Sequence, residues 1–167
     1  GGGLYIAEGG VANLDGCNVF SNRAIWGGGL YIKGIATLID SDVYSNQAGG
    51  SGGGLFVSSG GVANLDGCNV YSNEAQVSAG GGLYIYGQAT LTSTDVRDNV
   101  ATSGPNVYLA SPGTLALPQG TSIDGFEDEG GSLTYVSLPP SPPATPPLLP
   151  PPPPTPPPHT PPLLPPP

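Results

Sequence analysis

The sequence predicts an all-β fold: a parallel β-helix of five coils, about 25 residues each, followed by an extended polyproline II tail. Three observations predict it. The run Gly-Gly-Gly-Leu-Tyr-Ile recurs at Gly1–Ile6, Gly27–Ile32 and Gly80–Ile85, with Gly52–Val57 as a close variant and Gly104–Leu109 as a worn fifth copy. Each copy opens a unit of three short, alternating apolar segments separated by Gly, Asp and Asn. The prolines are segregated, with 19 of 22 in residues 139–167, where there is no glycine.

The period comes first, because repeats of 20–50 residues signal solenoids and propellers. At the leucine position the copies stand at Leu4, Leu30, Leu55, Leu83 and Val107, spaced by 26, 25, 28 and 24 residues. A unit this small cannot bury a core alone, but it can when stacked on copies of itself. Period-2 alternation bounded by turn residues reads as strands, and no apolar run is long enough for a helix. Each strand then pairs in register with its counterpart one rung away, roughly 4.8 Å along the axis. That makes a solenoid of three short sheets. A leucine-rich repeat needs a helical segment, and a propeller blade needs about 40 residues.

Stacking turns the repeats into columns. Leu4, Leu30, Leu55 and Leu83 form one internal ladder, continued by Val107, and Ile6, Ile32, Val57 and Ile85 form a second, continued by Leu109. Leu14, Leu38, Leu65 and Leu91 form a third beside small alanines, and Val19, Val43, Val70 and Val96 a fourth. Asn22, Asn46, Asn73 and Asn99 form an asparagine ladder. Asparagine tolerates the left-handed backbone of a bend, and its amide can bond the rungs above and below. Tyr5, Tyr31, Phe56, Tyr84 and Tyr108 point outward as an aromatic column. The glycines of the opening motif mark the bend that starts each rung. They do not read as a phosphate loop, since no Lys or Ser/Thr of such a site follows.

A second-order repeat lies over the first. Residues 9–19 and 60–70 are identical, so the duplicating unit is a pair of coils. Cys17 and Cys68 share a column two rungs apart with Ser41 between them. Two rungs, about 9–10 Å, exceed the reach of a disulfide. The pattern fades after Ser103. Residues 1–103 are expected to form four regular coils, and 104–138 a degenerate last coil and cap, with an acidic turn at Gly125–Gly130 and a final strand at Gly131–Val136.

Residues 139–167 are expected to form polyproline II. Thr145–Pro152 and Thr160–Pro167 repeat at a period of 15, five whole turns at three residues per turn. Leu148 and Leu163 therefore face the same way, and Leu148, Leu149, Leu163 and Leu164 are candidate contacts on neighbouring copies.

The net charge is −9, from 12 acidic and three basic residues (Arg23, Lys33 and Arg97). Nucleic acid needs clustered Lys and Arg, so it is not an expected partner. No apolar run reaches 18 residues, so no membrane insertion is expected in this stretch. There is no methionine, and the chain reads as a fragment with more repeats and a secretion signal upstream.

The body resembles the right-handed parallel β-helix repeat proteins of the pectin-lyase-like superfamily. Its Gly-Gly-Gly-Leu with downstream Val-Tyr-Ser-Asn is similar to the repeats of polymorphic outer-membrane proteins. The tail, with Ser-Pro-Pro, Thr-Pro-Pro and an unbroken proline run, resembles hydroxyproline-rich glycoproteins of cell walls. That second resemblance implies hydroxylation or O-linked glycans at Ser141, Thr145, Pro150, Pro151, Pro152, Pro153, Pro154, Thr155 and Thr160.

Catalysis is not expected. Enzymes of the superfamily use clustered carboxylates and a basic residue, whereas the one histidine here, His159, lies in the tail. Asp15, Asp40, Asp66 and Asp95 read as turn residues. No cofactor is expected, with Ca²⁺ at Asp40 and Asp42 or at Glu127–Glu129 the one alternative. The expected function is a structural subunit of an extracellular filament or wall fibre, whose partners are copies of itself. A surface adhesin or carbohydrate-binding module is the alternative, and a fragment of a polysaccharide lyase or hydrolase the third.

Overall fold

The computed structural model describes residues 1–137, and every described strand pairing within its sheets is parallel. Rung one holds β1 (Leu4–Ile6), β2 (Val11–Asp15), β3 (Asn18–Phe20) and β4 (Arg23–Ala24). Rung two repeats them as β5 (Leu30–Ile32), β6 (Ile35–Ile39), β7 (Asp42–Tyr44) and β8 (Gln47–Ala48). Rung three has β9 (Leu55–Val57), β10 (Val62–Asp66), β11 (Asn69–Tyr71) and β12 (Glu74–Ala75). Rung four has β13 (Leu83–Ile85), β14 (Gln88–Thr92) and β15 (Asp95–Arg97). Two shortened rungs follow: β16 (Val107–Ala110) with β17 (Thr114–Pro118), then β18 (Phe126–Glu129) with β19 (Ser132–Val136).

The fold is a parallel β-solenoid of about four full turns with no helix among the described residues. Six strands make the first sheet and six the second, but the third has four and the fourth three. The expectation of three sheets omitted that fourth ladder. Its strands, Arg23–Ala24, Gln47–Ala48 and Glu74–Ala75, are two residues long, too short to show alternation in sequence. The stretch expected to hold one last coil holds two abbreviated ones. The expected acidic turn at Gly125–Gly130 is instead strand β18 in parallel pairing with β16. Its acidic residues disguised it, because strand propensity disfavours Asp and Glu.

The predicted columns are the observed register. Leu4, Leu30, Leu55, Leu83 and Val107 pair in sequence, as do Ile6, Ile32, Val57, Ile85 and Leu109. Leu30, Leu55, Leu83, Ile32, Val57 and Ile85 are fully buried. Leu4 is half-buried and Ile6 buried in the first rung. Alternation puts these side chains inside and their neighbours outside. In the shortened rungs Ile123 packs against the core, in a region where the third sheet has no further strand.

The corners explain the motif glycines. Gly52 opens its rung at φ +70°, in the left-handed region that favours glycine. A Cβ at Gly53 would press into the carbonyl of Gly81 and lie 2.6 Å from the backbone of Glu74. One glycine supplies the bend and the next admits the neighbouring rung.

Candidate functional site

The asparagine ladder runs through the third corner. After Asn22, each amide oxygen accepts twice from the rung before it. Asn46 Oδ1 accepts from Asn22 N–H and Nδ2 at 3.0 Å, and Asn73 Oδ1 accepts likewise from Asn46 at 3.0 Å. Asn99 Oδ1 does the same for Asn73, at 2.9 and 3.0 Å. The Nδ2 groups also donate back to core-strand carbonyls: Asn46 to Val19, Asn73 to Val43 and Asn99 to Val70. No buried side-chain polar atom among the described residues lacks a partner.

The bend itself is made elsewhere than expected. The left-handed residues at this corner are Ser21, Ser45, Ser72 and Asp98, each one position before the asparagine, at φ 53–56°. The asparagines serve through their side chains, not through backbone tolerance. The second corner has its own left-handed column of Gly16, Asp40, Gly67 and Ser93.

The outward aromatic column is a face-to-face stack. Tyr31, Phe56 and Tyr84 lie 5.1 and 4.8 Å apart between centroids with rings within 6° of parallel. Tyr5 and Tyr108 extend it at 5.5 and 5.3 Å. Rings held one rung apart cover each other's faces, so the inner members offer solvent only their edges. Trp26 meets Phe56 edge-on at 5.7 Å and reaches over Gly50, where a side chain would collide with the indole.

A second stack escaped the sequence reading. Phe20, Tyr44 and Tyr71 lie parallel at 5.1 Å on the third sheet, and the guanidinium of Arg97 caps Tyr71 at 4.9 Å from the ring centre. The signal was present, since these residues share the register of the valine ladder one position on. Arg97 is anchored by Asp95 at 2.7 Å and Asp98 at 3.0 Å.

The remaining carboxylates are distributed, not convergent. Asp15, Asp40, Asp66 and Asp95 are exposed around the second corner. Asp42 accepts from Asn69 Nδ2 at 2.8 Å, and Asp128 from Gly131 N–H at 2.8 Å. Glu127 accepts from Gly104 N–H, and Glu129 from the Tyr108 hydroxyl. That bond, together with burial, pushes the Tyr108 phenol up to about 12. No group of three metal-ligating side chains comes together among the described residues. Cys17 and Cys68 are free thiols, and Ser41 lies between them, its hydroxyl accepting from Cys17 N–H at 3.0 Å. Burial pushes the Cys68 thiol up.

The candidate contacts Leu148, Leu149, Leu163 and Leu164 lie outside the described residues, as do the modification positions Ser141, Thr145, Pro150–Pro154, Thr155 and Thr160 and the lone His159. No described helix is long and apolar enough to cross a membrane.

Comparison with protein-family models, curated proteins and solved structures gives no match to this chain.

Proposed function

We propose that this chain is a non-catalytic structural subunit of an extracellular filament or cell-wall fibre. In this reading it belongs with the right-handed β-helix repeat proteins its body resembles, and its tail carries O-linked glycans like the hydroxyproline-rich glycoproteins. The observation that supports it most is how the side chains are used. Both aromatic columns stack on themselves, and the asparagines bond to each other. The described carboxylates that have side-chain partners take them up in turns and pairs. Such ladders make a stiff rod and leave no convergent set of groups for chemistry among the described residues. Copies of the chain join through the body's sides and the proline-rich segment, with Leu148, Leu149, Leu163 and Leu164 as contacts.

One observation favours a second reading, an adhesin or carbohydrate-binding module. Trp26 and Tyr5 are about half exposed, and Ile25 is 71% exposed beside them. Sugars stack on free aromatic faces, which the inner rings of the column do not have.

Deleting residues 139–167 separates the readings. The structural reading predicts a folded, unassembled body without them. Assembly that persists unchanged overturns it, and binding of the isolated body on a glycan array supports the second reading instead.

A further inference from the structure

The sixth rung closes the first sheet with a strand unlike the five before it. In β18, Phe126 pairs with Val107, Glu127 with Tyr108, Asp128 with Leu109 and Glu129 with Ala110. The register therefore sets Asp128 at the head of the buried column Ile6, Ile32, Val57, Ile85 and Leu109. A carboxylate stands where every earlier rung has an aliphatic side chain. It is exposed, and it holds the turn behind it through Gly131 N–H. Its two neighbours fold back on rung five, Glu127 onto Gly104 N–H and Glu129 onto Tyr108. The third sheet ends on the same side at β15, which carries Asp95 and leads into Asp98. With Asp124, six of the 12 acidic residues gather at this end, where Arg97 is the one base among the described residues and is already held by two of them.

We infer that this end face is a stop: it refuses a further rung, so copies of the chain do not add to it by axial stacking. A rung of the Leu-Tyr-Ile pattern laid on β18 in the same register would set an isoleucine over Asp128 and a tyrosine over Glu127. It would bury the Asp128 carboxylate with no countercharge, which is among the costliest changes a β interface can suffer. Inward-pointing charge on an edge strand is a known guard against edge pairing. Like faces of two copies would set acids against acids. The inference does not rest on the fibre reading. It fixes which route copies do not take, and it holds equally for a chain that stays single.

The test uses the full chain and the variant Asp128→Leu, compared by sedimentation velocity over a concentration series. Amide hydrogen exchange across Phe126–Glu129 is the second readout, because axial stacking would pair those amides whereas a merely stickier surface would not. The variant is expected to associate more tightly by about tenfold or more, with slowed exchange in β18. A folded variant that associates no more than the parent overturns the inference. So does a parent chain whose own association slows exchange across Phe126–Glu129. Should Asp128→Leu fail to fold, Asp128→Asn retains an oxygen for Gly131 and is judged by the same two readouts. A rise of about threefold or more is then expected, and no rise overturns the inference.

Discussion

Asn99 and Asn106 are joined by two hydrogen bonds to a single oxygen: Asn106 Oδ1 accepts from Asn99 N–H at 3.1 Å and from its Nδ2 at 2.9 Å. Seven residues separate them, where the other ladder steps span 24 to 27. Rung five has no third-corner asparagine to offer. Asn106 takes over from the third glycine of the opening motif, beside which the earlier ladder amides lie, and passes the chain on to the Asp124 carbonyl at 2.7 Å.

The ladder should be costly to break in its middle and cheap to break at its first member. Asn73→Ala strips Asn46 of the acceptor for two donors and removes the Nδ2 bond to the Val43 carbonyl. A loss of about 2–4 kcal/mol is expected in denaturant unfolding. Asn22 is half-buried and accepts nothing from a rung before it, so Asn22→Ala should cost about 1 kcal/mol or less. Equal losses at the two positions would contradict the cooperative ladder.

Glycines that look alike in sequence should respond differently. Gly53→Ala meets the Gly81 carbonyl of the next rung and the Glu74 backbone of its own, and should abolish folding or cost several kcal/mol. Gly9 sits at φ +74° with open space where a Cβ would go. Gly9→Ala should cost only the left-handed penalty, about 1–2 kcal/mol. Thermal melts of the two variants read the difference. The left-handed Ser72 gives the converse case: Ser72→Gly relieves strain and should raise stability by about 0.5–1 kcal/mol.

The two cysteines should separate by access. Cys68 is 1% exposed with its thiol pushed up, while Cys17 is half-buried in the first rung. A thiol reagent is expected to label Cys17 in the native protein and Cys68 only after unfolding. Rapid labelling of Cys68 in the native state would contradict the packed core.

Tyr108 sets an alkaline limit. Its phenol ionises at about 12 in the folded chain against 10.0 for an ordinary tyrosine, because Glu129 accepts its proton bond and burial disfavours the phenolate. Below pH 10 both states hold the proton and the contribution is fully present. Between pH 10 and 12 the unfolded chain loses its proton first, so stability falls as pH rises. Melts across that window should decline less steeply for Tyr108→Phe than for the parent. Parallel declines would place the effect elsewhere.

The regular part of the fold was legible because identical residues repeat at one spacing. Leu30, Leu55 and Leu83 define a register with no geometry needed, and the structure pairs them so. What sequence hid was whatever departed from the consensus. Glu127, Asp128 and Glu129 break the strand signature yet form a strand, since the preceding rung supplies an edge to pair with. Arg23–Ala24 and its counterparts are too short for a period. The left-handed backbone was expected at the asparagines on propensity, but Ser21, Ser45 and Ser72 carry it, and the asparagine that follows each gives its N–H to the next asparagine of the ladder. Phe20, Tyr44 and Tyr71 were visible as a column and passed over beside the more conspicuous Tyr-Phe series.

Electron microscopy of the full-length chain tests the central claim most directly. The structural reading predicts fibres with a regular axial repeat, built from rods whose internal rungs are roughly 4.8 Å apart. Single particles at every concentration, with no ordered assembly, would contradict it.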